Sequence, residues 1–190
     1  MSGKILVTGG TGYIGSHTVV ELQNAGFEVV IIDDLSNSGS GVVDRIGEIT
    51  GKTPEFHQID MQQAELLDTF FQQAGKIDAV IHFAAYKAVG ESVEKPLKYY
   101  RNNLLSLVNL FECMEKYKIG FLVFSSSCTV YGQPDQLPVT EQTPRKKAES
   151  PYGNTKIVCE DIIRDYTNAN PEIKAIALRY FNPIGAHPFS

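Results

Sequence analysis

A glycine-rich segment between two short apolar stretches constrains the fold of this chain more than any other feature. Lys4 to Thr8 reads as a short strand, and a helical pattern extends from the glycines to about Gly26. Between them, Gly9, Gly12 and Gly15 follow the spacing G-x-x-G-x-x-G. Such a turn lets a ligand approach the backbone closely, and the N–H groups at the start of the helix attract an anion. The segment therefore indicates a βαβ unit that can hold the pyrophosphate of a dinucleotide.

Two other interpretations of the glycines stay open on the sequence. The spacing G-x-G-x-x-G also fits when Gly10, Gly12 and Gly15 are taken together. A glycine-rich turn that binds no ligand is an ordinary alternative for a lone motif.

An acidic residue ends the second predicted strand, which runs from Glu28 to Ile32. Asp33 lies at the offset after the glycines where a carboxylate can bind ribose hydroxyls. It could instead be an ordinary turn residue, but the order strand, glycine turn, helix, strand and acid favours the ligand role. Because the carboxylate would repel a 2′-phosphate, the pattern favours NAD over NADP.

Strand and helix patterns alternate along the rest of the chain, which is typical of a parallel sheet covered on both faces. We therefore predict a doubly wound α/β fold of the Rossmann type, with three layers in the order α/β/α. Further strands are expected at residues 55–59, 79–83, 121–125 and 174–180, and helices at 42–49, 63–73, 96–117 and 151–168. A polar loop is expected at 131–149.

Composition narrows the class of protein. The 190 residues suffice for one domain, and the formal net charge of −5 argues against a nucleic-acid or anionic membrane surface. The absence of a long apolar run or a signal peptide predicts no membrane span. The odd number of cysteines suggests reduced thiols in the cytoplasm, and the scattered histidines suggest no metal site. These residues are Cys113, Cys128, Cys159, His17, His57, His82 and His187.

A phenol and an ammonium lie four residues apart where the helix after Pro151 should begin. Tyr152 and Lys156 should share one face of that helix. The positive charge is expected to lower the pKa of the phenol, which would make it a usable acid or base near neutral pH. The spacing is common by chance, and it gains weight only from the dinucleotide site at the other end of the chain.

Three serines, at residues 125–127, close a predicted strand at its carboxyl end. One hydroxyl there could bond both a substrate oxygen and the Tyr152 phenol, although serines also end strands as turn formers. Hydroxyl, phenol, ammonium and dinucleotide site converge on one reaction type. The phenolate takes a proton from an alcohol while the nicotinamide takes hydride from the same carbon.

Longer stretches resemble the extended short-chain dehydrogenase/reductase superfamily and, within it, the family of UDP-glucose 4-epimerases. The glycine and Tyr/Lys motifs occur throughout the superfamily, whereas residues 87–92 and, within the matching stretch 178–188, residues 179–188 are much more specific to these epimerases. Other matching stretches are residues 7–17, 81–85, 99–103, 124–127, 131–132 and 150–153.

The resemblance implies NAD-dependent 4-epimerisation of UDP-glucose and UDP-galactose through a 4-keto intermediate. Tyr152 would act as base towards the sugar 4-hydroxyl, Ser127 would relay the proton, and Lys156 would bind the nicotinamide ribose. Asn182 would lie near the sugar nucleotide. The positions implied for the cofactor are Gly9, Gly12, Tyr13, Ile14, Gly15, Asp33, Asn37, Asp60, Met61, Phe83, Ala84, Ala85, Lys87, Asn102, Tyr152, Lys156 and Phe181.

Several implied positions have plainer interpretations. Phe83 and Phe181 could be core aromatics, Lys87 a solvated charge, and Asn102 a helix-surface amide. The chain also departs from the family pattern: Ala85 stands where Gly is frequent, Cys128 where Ala is frequent, and Asp34 where Asn is frequent. The first two are small and should be tolerated, and Asp34 disfavours NADP further.

Members of this family continue for a comparable length with a domain that grips UDP. Residues 1–190 are therefore expected to form an NAD-binding Rossmann domain without the substrate-binding domain, and to turn over sugar weakly or not at all. A homodimer is expected through the helices around 97–117 and 151–168. Two alternatives are a catalytically silent NAD-binding module and a sugar-nucleotide 4,6-dehydratase. The dehydratase is disfavoured because Cys128 and Thr129 follow Ser127 in place of an acid pair.

Overall fold

The structure, a computed structural model, describes residues 3–187, so that Pro188 at the end of the epimerase-like stretch lies outside the described residues. Six strands form one sheet in the order β3-β2-β1-β4-β5-β6, and every neighbouring pair is parallel. This order confirms the predicted doubly wound α/β fold. The strands are β1 (Lys4–Thr8), β2 (Glu28–Asp33), β3 (Glu55–Gln58), β4 (Ala79–His82), β5 (Phe121–Ser127) and β6 (Lys174–Tyr180).

The predicted helices are confirmed to within two residues at each end. One short helix, at Val89–Glu94, was not predicted because six residues that include Gly90 give no helical periodicity to detect. A 3₁₀ turn at Cys128–Tyr131 includes Tyr131, which was predicted to be the first residue of the polar loop. The helices are α1 (Tyr13–Asn24), α2 (Gly41–Thr50), α3 (Ala64–Gln73), α4 (Val89–Glu94), α5 (Pro96–Lys116) and α6 (Pro151–Ala169).

Apolar side chains that alternate along the strands build two cores, one on each face of the sheet. Leu6 and Val30 pack with side chains of α3, α5 and α6. Ile5 and Val7 pack on the opposite face with side chains of α1 and α2. Burial on both faces explains why the central strands read as continuous apolar runs.

The covering of the second face is incomplete over β5 and β6. Phe121 is 60% exposed and Ile176 is 61% exposed, and the strand register places Ile176 beside Val123 on the same face. The expectation of a sheet covered on both faces therefore holds for β1 to β4 but not for this end of the sheet.

Within residues 3–187, no helix combines the length and the apolar character that crossing a membrane requires. Over the same residues, no group of three or more His, Cys, Asp or Glu side chains could hold a metal ion. Cys113, Cys128 and Cys159 are free thiols in the structure.

Candidate active site

A cleft of about 700 Å³ opens at the carboxyl edge of the sheet. The strand order reverses between β1 and β4, and ligands of open α/β sheets bind at this kind of switch point. The cleft brings together every residue that the sequence analysis assigned to cofactor or sugar. These are Gly9, Gly12, Tyr13, Ile14, Gly15, Asp33, Asn37, Asp60, Met61, Phe83, Ala84, Ala85, Lys87, Asn102, Ser127, Tyr152, Lys156, Phe181 and Asn182.

The glycine turn is shaped by close approaches that exclude a Cβ atom. Gly9 has φ +68°, and a Cβ there would lie 2.6 Å from the Ala84 backbone nitrogen. A Cβ on Gly15 would lie 2.2 Å from the Gly9 carbonyl oxygen. At Gly10 a side chain is excluded by packing instead, since an added Cβ would lie 2.7 Å from Ile31 Cγ2. Gly10 does not line the cleft, which favours the spacing G-x-x-G-x-x-G.

The start of α1 offers a site for an anion. Gly12 is its N-cap, no side chain caps the first turn, and the first turn carries no acidic residue. The backbone N–H groups at a helix start have no partner within the helix, and the positive end of the helix dipole lies there. A glycine-rich turn, uncapped N–H groups and an adjoining cleft fit the pyrophosphate of a dinucleotide.

Asp33 ties the glycine turn to the end of β2. Its Oδ2 accepts a hydrogen bond from the Thr11 N–H at 3.1 Å, and its Oδ1 accepts one from the Leu35 N–H at 2.9 Å. The carboxylate is buried, yet it lines the cleft. Each carboxylate oxygen has two lone pairs, so both oxygens can still accept a ribose hydroxyl.

The phenol and the ammonium are placed by a well-capped helix start. Ser150 is the N-cap of α6, and its Oγ accepts a hydrogen bond from the Gly153 N–H at 3.1 Å. Pro151 at the first helical position adds a φ that suits the helix. Consequently Tyr152 and Lys156 lie on the face of α6 that borders the cleft.

Lys156 points at the end of β5. Its Nζ donates to the Ser125 carbonyl oxygen at 2.7 Å and lies 4.7 Å from the Phe124 ring centroid. The distance from Nζ to the Tyr152 ring centroid is 6.0 Å. The Ser127 side chain lies close enough to the phenol to lower the pKa of Tyr152. The three side chains predicted to carry the chemistry therefore meet at one place.

The pKa of Tyr152 is raised, contrary to the expectation that Lys156 lowers it. Burial of the phenol raises the pKa, the hydrogen bond with Ser127 lowers it, and the nearby Cys128 raises it. Burial also lowers the pKa of Lys156, to about 8, while Cys159 and Glu160 oppose that change. The ammonium is directed at the Ser125 carbonyl, so in this geometry Ser127 is the side chain that stabilises the phenolate.

A buried amide behind the site was not predicted. Asn103 Oδ1 accepts from the Tyr86 N–H at 2.9 Å, and its Nδ2 contacts the Tyr86 carbonyl and Thr155 Oγ1, each at 3.0 Å. It thereby fastens the segment after β4 to α6. The sequence does contain a signal for this residue. Asn103 lies four residues from Tyr99 and four from Leu107, so it falls on the buried face of α5. Other unpredicted residues of the cleft include Ser36, Ser38, Tyr86, Ser106, Thr129, Tyr180 and Pro183.

His82 gives the fold a pH dependence that can be measured. Burial, with a smaller effect of the Lys156 charge, lowers the pKa of His82 from 6.5 to about 3. Between these values the unfolded chain binds more protons than the folded chain, so the free energy of unfolding falls as the pH falls. We expect His82→Gln to flatten this slope by up to about 1.4 kcal/mol per pH unit. Urea unfolding at several pH values from about 7 to about 4 measures it.

Thr8→Val is the matched control for this prediction. It removes the 2.7 Å hydrogen bond between Thr8 Oγ1 and His82 Nδ1 but keeps the buried imidazole. Its unfolding free energy should be lower at every pH, with the slope retained. A steep slope in His82→Gln would contradict the assignment to this imidazole.

The sequence and the fold both match one family of proteins. The profile of the NAD dependent epimerase/dehydratase family matches residues 5–190. The chain is 54% identical to a UDP-glucose 4-epimerase of Bacillus subtilis and 52% identical to one of Dictyostelium discoideum. These matches cover 97% of this chain and 54% and 53% of the relatives.

A solved structure agrees with these matches. The UDP-glucose 4-epimerase of Bifidobacterium longum, in complex with NAD⁺ and UDP, superimposes with a TM-score of 0.94 at 46% identity. That match covers 97% of this chain and 55% of the other. The chain thus spans about half the length of the relatives that it matches. On its sequence and its fold, the chain belongs to the NAD dependent epimerase/dehydratase family.

Proposed function

We propose that this chain binds NAD at the carboxyl edge of its sheet and carries the acid/base groups of a UDP-glucose 4-epimerase. The observation that carries the proposal is the meeting of Ser127, Tyr152 and Lys156 in the cleft that also contains the glycine turn and Asp33. The names of the relatives supply the substrate class, since they act on UDP-glucose.

The residues of the cleft fit NAD by their chemistry. The start of α1, with Tyr13 and Ile14, would bind the pyrophosphate through backbone N–H groups. Asp33 would accept hydrogen bonds from the adenosine ribose, and Lys156 would donate one to the nicotinamide ribose. The remaining cofactor positions would be Asn37, Asp60, Met61, Phe83, Ala84, Ala85, Lys87, Asn102 and Phe181. When bound, NAD would accept a hydride from the sugar carbon and return it.

The chain itself would move the proton. Tyr152 Oη would take the proton of the sugar 4-hydroxyl and give it back at the end of the turnover, so that no net proton is lost. Ser127 Oγ, which lies near the phenol and lowers its pKa, would relay that proton and stabilise the phenolate. Asn182 lines the cleft and would contact the sugar nucleotide. UDP-glucose and UDP-galactose are the proposed substrates.

The test is direct. Purified protein is analysed by mass spectrometry and absorbance for retained NAD, and UDP-galactose is then added. We expect retained NAD and a slow, sugar-dependent appearance of reduced nicotinamide. Protein that neither retains NAD nor binds added NAD would overturn the proposal.

Sugar turnover by residues 1–190 is proposed to be weak or absent. Binding energy from a group remote from the reacting carbon, here UDP, serves to position that carbon. The relatives are about twice as long as this chain, and the additional half is where we place the UDP contacts. A coupled assay that shows the normal turnover of a full-length epimerase would contradict this.

A catalytically silent NAD-binding module is the second candidate. Retained NAD with no response to UDP-galactose would support it. A 4,6-dehydratase is less favoured, because Cys128 and Thr129 line the cleft directly after Ser127 where that chemistry needs an acid pair.

We also propose a cytoplasmic homodimer that pairs α5 and α6 with their copies. On α5, Leu97 is 79% exposed, and Leu105 and Val108 are 39% and 37% exposed. Burying such a face would stabilise a dimer. A light-scattering mass equal to that of one chain would contradict the homodimer.

The net charge of −5 supports small-molecule partners rather than nucleic acid or a membrane.

A further inference from the structure

A buried carboxylate lies one helical turn beyond Lys156 and outside the cleft. The Glu160 side chain is 8% exposed. Its Oε1 accepts from Ser126 Oγ at 2.6 Å and from Arg179 Nε at 2.9 Å, and its Oε2 accepts from Arg179 Nη2 at 2.8 Å. Arg145 Nη1 lies 3.5 Å from Oε2. The carboxylate thus joins α6 to β5, to β6 and to the loop before α6.

Two partners of Glu160, Ser126 and Arg179, adjoin residues of the cleft. Ser126 precedes Ser127 on β5, and Arg179 precedes Tyr180, which lines the cleft at the end of β6. On α6 the spacing of Tyr152, Lys156 and Glu160 is four and again four residues, so all three lie along one side of the helix. One side chain therefore contacts three of the elements that border the cleft, α6, β5 and β6.

Charge as well as geometry stabilises the contacts of Glu160 with Ser126 and Arg179, which together we call the Glu160 clamp. Burial raises the pKa of Glu160, but hydrogen bonds from Arg179 and Ser126 and the charges of Arg179 and Arg145 outweigh it and lower the pKa. The carboxylate is therefore ionised at neutral pH. Two parallel bonds from one guanidinium to one carboxylate are strong and geometrically specific.

Glu160 also contributes to the charge balance around Lys156. The groups that face the ammonium are His82 from β4, the Ser125 carbonyl from β5, and Tyr152, Cys159 and Glu160 from α6. His82 is neutral at neutral pH because its pKa is about 3. Glu160 is thus the anionic side chain that opposes the effect of burial on the pKa of Lys156.

We propose that Glu160 is a positioning residue for the proton transfer, which holds β5 and β6 against the start of α6 through Ser126 and Arg179 and places a negative charge one helical turn from Lys156. The role rests on the proposed function. Its tests need neither cofactor nor sugar, so each of the two proposals can fail while the other stands.

The first test is the titration of Lys156, followed by NMR of the chain with isotope-labelled lysine side chains. Glu160→Gln keeps the shape of the side chain but removes its charge. We expect the midpoint of Lys156 to fall by at least about half a pH unit, because an opposite charge nearby favours the ammonium. Asp161→Asn is the matched control, since it removes the same charge one residue along α6. Asp161 pairs with Arg145 and Arg164 instead.

An unchanged Lys156 midpoint in Glu160→Gln would overturn the electrostatic part of the proposal. An equal fall in Glu160→Gln and Asp161→Asn would also overturn it, since any negative charge on the helix would then suffice. A specific fall in Glu160→Gln alone would support it.

The second test concerns position and uses a milder variant. Ser126→Ala removes the 2.6 Å hydrogen bond to Glu160 and leaves the carboxylate and its arginine partners in place. We expect the Tyr152 phenol to titrate at a higher pH, because the hydrogen bond from Ser127 that lowers its pKa is weakened. The titration is followed by NMR of labelled tyrosine. An unchanged Tyr152 midpoint would overturn the positioning role, even if Glu160→Gln did not fold.

Discussion

Tyr152→Phe is expected to slow the sugar-dependent reduction of bound NAD by about 10²- to 10⁴-fold, the usual contribution of a general acid or base. The change removes only the phenolic oxygen, which lies near Ser127 in the cleft. The bond from Lys156 Nζ to the Ser125 carbonyl oxygen stays, so NAD retention should be unchanged. Absorbance of reduced nicotinamide in a single turnover with UDP-galactose measures the rate.

Tyr166→Phe is the matched control for Tyr152→Phe. Tyr166 lies on the same helix, and its hydroxyl donates to Glu115 Oε2 at 2.8 Å, away from the cleft. Its loss should leave the reduction rate unaltered. If Tyr152→Phe reduced NAD as fast as the unmodified chain, the phenol could not be the proton acceptor. Loss of NAD from Tyr152→Phe would instead assign it a binding role.

The elements of the fold that the sequence predicts depend on local signals. The strand before Gly9, the helix after Gly15 and the acid at Asp33 are each encoded within a few residues, and together they determine the βαβ unit. The capped start of α6 at Ser150 is equally local. Because parallel strands bring their carboxyl ends to one edge, these local predictions place the glycine turn, Asp33 and the start of α6 at the cleft. Most of the remaining cleft positions were implied by the family resemblance.

The features that sequence analysis missed depend on contacts between distant segments. Glu160 is 34 residues from Ser126 and 19 residues from Arg179, and no periodicity reveals such a clamp. The direction of the Tyr152 pKa shift was missed for a related reason. Helical spacing shows that Lys156 is on the same face, but the depth of burial depends on packing across the whole edge of the sheet.

The uncovered face of β5 and β6 shows where the sequence pattern is ambiguous. Ile176 and Leu178 have the apolar character of a buried strand, yet they are 61% and 39% exposed. Apolar runs predict that a strand can be buried, and they do not specify what covers it. The sequence therefore predicted the position of β6 in the fold better than its surroundings.

The second large effect concerns the glycine turn as a packing element. Gly15→Ala is expected to destabilise the fold by about 3 kcal/mol, at the upper end of what overpacking costs. The added Cβ would lie 2.2 Å from the Gly9 carbonyl oxygen and 2.9 Å from Gly10 Cα. Both are backbone atoms and cannot rotate away as the end of a side chain could. Urea unfolding followed by circular dichroism measures the change.

Gly90→Ala separates this steric effect from the general effect of replacing a helical glycine. A Cβ at Gly90 would meet no atom within 4 Å. Alanine at such a position in a helix is favoured over glycine by about 0.5–1 kcal/mol, so Gly90→Ala should be stabilising. If Gly15→Ala were as stable as Gly90→Ala, the turn would have room for a side chain. The absence of Cβ at Gly15 would then have to be explained by the ligand rather than by the contact between α1 and the turn.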